Sequence, residues 1–133
     1  YIKEIIEVLS ERFNVHKTSD KTRLDKTIKN FCQIKDIELE LTENEESFKH
    51  DVLFDGGLKI KALFKDISAI ESNGNGIINE AINNITKIRN VIVHLRENRE
   101  NTVILPTEKN NIYLMPYLYL LRRISEKVAI QFE

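Results

Sequence analysis

The sequence predicts an all-α fold, a small helical bundle of about five helices. Three observations carry that expectation. Apolar residues recur at three- and four-residue spacing in five separate stretches. Runs that alternate in the manner of strands are few and short. A length of 133 residues suits one domain, residues 1–133, that buries enough surface to need no staples.

The first helix is expected over residues 2–13. Ile2, Ile5, Ile6, Leu9 and Phe13 share one face, and Lys3, Glu4, Glu7 and Glu11 take the rest. Asn14 to Asp20 has the residues of a turn followed by an N-cap. Leu24, Ile28, Phe31 and Cys32 then give a second helix. Ile37-Glu38-Leu39-Glu40-Leu41 alternates, which fits a short strand or an acidic helix end, and Thr42 to Phe48 reads as solvated. Asp55-Gly56-Gly57 is a break.

Ile60, Leu63, Phe64 and Ile67 restore helical spacing, with Lys59, Lys61 and Lys65 outside. Ser72-Asn73-Gly74-Asn75-Gly76 reads as the clearest turn, since Gly and Asn tolerate positive φ. No Gly-Lys-Ser/Thr follows it, so it is not a phosphate loop. The longest helix is expected from residue 77 to 97, carrying Ile78, Ala81, Ile82, Ile85, Ile88, Ile92 and Leu95. A small β-hairpin before the last helix would join Val103–Leu105 to Ile112–Leu114. Pro116 suits the first turn of that last helix, with Tyr117, Leu121, Ile124 and Val128 buried.

Composition narrows the function classes. The single cysteine, Cys32, excludes a disulfide framework and a Cys-based zinc site, and reads as a buried thiol in a reduced, cytoplasmic protein. No apolar run approaches the ~18 residues of a membrane span, and no signal-peptide core opens the chain. The start at Tyr1 lacks a Met and reads as a piece excised from a longer chain. Net charge is −1, but unevenly spread: residues 36–71 hold four basic and ten acidic groups, residues 72–133 eight and six. A basic face therefore stays open to an anionic partner.

The chemistry concentrates in Lys87-Ile88-Arg89-Asn90-Val91-Ile92-Val93-His94-Leu95-Arg96. On a helix Asn90 and His94 lie one turn apart on one face, while Arg89 and His94 are about 140° apart and can border one cleft. His moves protons near neutral pH, Arg offers a planar fork to phosphate, and an Asn amide can orient either. Together they suit RNA cleavage in which the 2′-hydroxyl attacks the adjacent phosphate. His94 would move a proton and Arg89 would stabilise the pentacovalent transition state. Arg96, with Lys87 and Arg99, makes a local basic surface for neighbouring phosphates, opposed by Glu97 and Glu100. An ordinary solvated face is an equally good reading of those three.

The stretch Arg89-Asn90-Val91-Ile92-Val93-His94 resembles the signature of the HEPN superfamily: Arg, a polar residue that is often Asn, a few residues, then His on a late helix of a small bundle. The resemblance implies an all-α bundle of about this length and a metal-independent endoribonuclease. Arg89, Asn90 and His94 take the catalytic roles in it. It further implies a homodimer whose two motifs form one cleft, a role in prokaryotic defence or a toxin system, and control by an attached regulatory domain or an antitoxin. One HEPN subgroup carries Tyr two residues after the His as a modification target; Arg96 stands there, so that subgroup's regulation is not expected.

Other candidates are weaker. His16 and His50 read as loop residues, with His50-Asp51 short of metal partners, and Arg122-Arg123 on the last helix could contact RNA, although such a pair is more often plain surface. Tyr113, Tyr117 and Tyr119 could stack on bases, although Tyr117 falls at a core position. No paired carboxylates, nucleophilic triad or metal cluster emerges, and no cofactor is called for. The alternative function is a catalytically silent helical module for dimerisation or RNA binding within a larger protein.

Overall fold

The structure, a computed structural model, describes Glu4, residues 20–93 and residues 103–130. The helix expected over residues 2–13 lies outside the described residues except for Glu4, as does the following turn except for Asp20. Six helices and one two-stranded sheet are described: α1 (Asp20–Phe31), α2 (Ile34–Glu43), α3 (Glu45–Phe48), β1 (Val52–Leu53), β2 (Lys59–Ile60), α4 (Ala69–Ser72), α5 (Gly74–Val93) and α6 (Glu108–Ile130). The fold is a small helical bundle with a short hairpin, as the spacing predicts.

Ile28 on α1 and Cys32 just after it are buried, and α1 packs against α5 and α6. The alternating stretch belongs to α2. The Asp36 carboxylate accepts a hydrogen bond from the Gln33 N–H at 2.8 Å and starts the helix. One helical face then buries Ile37, Glu40 and Leu41 together and leaves Leu39 outside. The solvated stretch has one exception, Phe48, which is buried and meets Tyr117 edge to face at 5.2 Å.

The sheet forms in a different place from the expected hairpin. Val52 pairs with Ile60 and Leu53 with Lys59, antiparallel, around the Asp55-Gly56-Gly57 break. Gly56 and Gly57 have φ of +111° and +104°, which only glycine adopts without strain. Val103 contributes a parallel bridge to Gly57, and Ile112–Leu114 lie within α6. The Ile60–Ile67 helix does not form. Its backbone bonds are taken from outside: the Lys61 carbonyl accepts from Asn84, the Ala62 N–H donates to Asp51, and the Leu63 N–H donates to the Phe48 carbonyl. Leu63 and Phe64 are buried from an irregular segment instead.

The Ser72–Gly76 turn shrinks to Asn73, between α4 and α5. Gly74 and Gly76 are helical, with no positive φ. Gly74 serves close approach: a Cβ there would stand 3.0–3.2 Å from the Ile34 side chain at the start of α2. α5 buries Ile78, Ala81, Ile82, Ile85 and Ile88 and is described to Val93, so its expected end near residue 97 lies outside the described residues. α6, at 23 residues, is the longest described helix. It starts at Glu108, two turns before Pro116, because the Thr107 hydroxyl accepts from the Asn110 N–H at 3.1 Å and caps it. Pro116 is buried inside the helix, and the carbonyl it leaves unpaired belongs to Ile112, a residue exposed to solvent. Tyr117, Leu121, Ile124 and Val128 are buried as expected. Among the described residues, no helix is long and apolar enough to cross a membrane.

Candidate functional site

α5 has two unlike faces. Its apolar face is locked in the core by Ile77, Ile82, Ile85 and Ile88, each at most 1 % exposed, which fixes the orientation of the rest. On the other side Asn83, Lys87 and Asn90 follow at i, i+4 and i+7, half-buried, exposed and exposed in turn. Arg89 lies beside them, half-buried, and its Nη1 donates to Asn90 Oδ1 at 3.2 Å. That bond turns the guanidinium toward the Asn90 side of the helix and leaves the Asn90 amide N–H groups able to donate elsewhere. The structure thus brings Lys87, Arg89 and Asn90 together on the last turns of described α5. His94, Arg96 and Arg99 lie outside the described residues.

Two buried amides fasten the fold, Asn84 on α5 itself and Asn110 at the start of α6, and neither stands out in the sequence. Asn84 is fully buried and donates from Nδ2 to the Lys61 carbonyl at 2.7 Å and to the Tyr117 hydroxyl at 2.8 Å. It ties β2's exit and α6 to α5. Burial pushes the Tyr117 phenol well above its ordinary value, so the hydroxyl stays protonated, while the Asn84 bond opposes the shift. The available signal was positional: Asn84 is three after Ala81 and four before Ile88, on the apolar stripe. Asn110 is also fully buried. It accepts from the Asp55 N–H and donates to the Asp55 and Leu105 carbonyls, all at 2.8 Å. The Thr107 hydroxyl donates to Asp55 Oδ2 at 3.1 Å, so the hairpin turn is fastened to the start of α6.

Arg123 Nε donates to Glu40 Oε1 at 2.7 Å, and its Nη1 lies 3.4 Å from Glu126, so Arg123 has a structural role. The Glu40 pairing holds the guanidinium above its ordinary value. Arg122 is exposed, and with Tyr119, Glu40 and Glu43 it lines a cleft of about 440 Å³ between α2 and α6. Tyr117 is core; Tyr113 sits edge-on to Phe54 at 5.8 Å, with Lys109 Nζ 5.7 Å from its ring centre. His50 is exposed, 3.8 Å from Glu46, and His16 lies outside the described residues. Among the described residues no group of three His, Cys, Asp or Glu side chains could hold a metal ion. Cys32 is buried, and its thiol is pushed up to about 11, first by burial and then by Asp36.

No family model, no curated protein and no solved structure matches this chain. The functional reading therefore rests on the residues of α5 and their chemistry.

Proposed function

We propose that the chain is a metal-independent endoribonuclease of the HEPN type. It acts in the cytoplasm as a homodimer in a prokaryotic defence or toxin system, under a regulatory domain or antitoxin. The supporting observation is the Arg89–Asn90 pair: a guanidinium bonded to its neighbour's amide oxygen, beside the outward face of a helix fixed by its buried face. A planar fork held this way meets a phosphate with little rotamer entropy left to lose. His94, four residues after Asn90, supplies the proton-transfer group that this pair lacks.

In the reaction the 2′-oxygen attacks the adjacent phosphorus and its proton leaves to a base. The bond from phosphorus to the 5′-oxygen breaks, and that oxygen takes up a proton. The products are a 2′,3′-cyclic phosphate and a 5′-hydroxyl. His94 moves a proton, and Arg89 carries the charge gathering on the pentacovalent phosphorus. Arg96 and Arg99, with Lys87, bind flanking phosphates. His94→Ala, assayed for RNA cleavage in EDTA with the fold checked by circular dichroism, tests the reading: loss of cleavage supports it, and unchanged cleavage overturns it.

A further inference from the structure

Beside the motif, on the same outward side of α5, lies a cavity of about 290 Å³, lined by Lys61, Glu80, Asn83, Thr86 and Lys87. It is near the small end of ligand pockets, which run from about 300 to 1,000 Å³. We infer that this cavity is a nucleotide subsite of the RNA track, seating a nucleotide whose phosphate lies between Lys61 and Lys87. The inference rests on the ribonuclease reading of α5 and extends it to residues on a second element.

Three observations carry it. First, Lys61 and Lys87 come from different elements to one cavity, both exposed, and neither forms an ion pair among the described residues. Two lysines in the lining against one carboxylate, Glu80, leave the cavity with a positive balance that favours an anion. Second, Lys61 is held there: its carbonyl is bonded to the buried Asn84 of α5, so the strand exit cannot drift from the helix. Third, Thr86 is 9 % exposed, and its Oγ1 is buried without a hydrogen-bond partner. A buried hydroxyl left alone is costly, and because Thr86 lines the cavity its hydroxyl can recover the bond from a phosphate oxygen by turning its side chain toward the cavity.

Glu80 sets the orientation. Among the described residues it is the one carboxylate in the lining, so it repels a second phosphate and accepts from an exocyclic amine of the base. Asn83 can donate or accept beside it. Thr86 precedes Asn90 by four residues, a rise of about 6 Å along the helix, which is the scale of one nucleotide step. A strand crossing Arg89–Asn90 therefore reaches this cavity with its neighbouring nucleotide.

The test reads binding apart from cleavage. The probe is a short mixed-sequence single-stranded RNA, 2′-O-methylated throughout so that it has no nucleophile, followed by fluorescence anisotropy. Lys61→Ala is expected to weaken binding about fivefold, the scale of one charge-assisted bond, and to lower the salt slope by about one. Lys65→Ala, exposed on the same segment but outside the cavity, serves as the control and is expected to match the wild type. Thr86→Val keeps the side chain's shape and removes the lone hydroxyl. It is expected to weaken binding about threefold while raising Tm by a few degrees, a combination that a purely structural hydroxyl would not give. The inference is overturned if Lys61→Ala matches Lys65→Ala and Thr86→Val binds as the wild type does, or if the wild type binds no RNA. Should the variants lose affinity while unmodified RNA goes uncut, the subsite stands and only the nuclease assignment falls.

Discussion

Cys32 follows α1 among carboxylates, 3 % exposed, with Asp36 and Glu40 acting on it against Lys127. Burial first, and Asp36 next, raise its thiol from the free value of 9.0 to about 11. The native thiol keeps a proton that the unfolded chain has released, so its contribution to stability is complete below pH 9.0 and is lost as pH rises toward about 11. Urea melts across that window should show the wild-type midpoint falling more steeply than that of Cys32→Ala; equal slopes would acquit the thiol. Asn110 is fully buried at the start of α6. Its truncation to Ala removes three bonds that close the backbone of Asp55 and Leu105. A loss of about 2–4 kcal/mol in denaturant unfolding is expected.

Among the elements, the hairpin turn holds two glycines with similar φ and different surroundings. A Cβ on Gly56 would stand 2.1 Å from the Val103 carbonyl oxygen, whereas one on Gly57 would meet nothing within 4 Å. Gly57→Ala should therefore cost only the strain of positive φ, about 1–2 kcal/mol. Gly56→Ala should cost clearly more, because the bonds from Val103 N–H to the Gly56 carbonyl and from Leu105 N–H to the Asp55 carbonyl must shift. Thermal melts of the two variants check the order; equal costs would mean that φ alone matters there. Helices α1, α5 and the later turns of α6 were legible in the sequence because each buries a face at regular spacing. The Lys61–Ile67 stretch shows the same spacing and is not helical, since Phe48, Asp51 and Asn84 claim its backbone groups. Local periodicity carries no information about such distant partners. The start of α6 was missed for a different reason: Thr107 caps three residues before Asn110, a signal less conspicuous than Pro116.

For the whole molecule, the bundle presents one helix whose inner face is core and whose outer face carries Asn83, Lys87 and Asn90, with Arg89 beside it. That much of the candidate site was legible, because motif and helix share one stretch of chain. Lys61 was not, because only the fold brings it across to α5. The composite cleft of the proposed dimer asks each copy to offer a phosphate-binding fork and a proton-transfer group, the roles proposed for Arg89 and His94. The measurement that bears most directly on this account is cleavage of unmodified single-stranded RNA in EDTA by the wild type, Arg89→Ala and His94→Ala, with product ends identified. The account predicts a 2′,3′-cyclic phosphate end from the wild type and a loss of at least about a hundredfold in rate for each variant with its fold intact. Absence of cleavage by the wild type, or equal cleavage by folded variants, would contradict it.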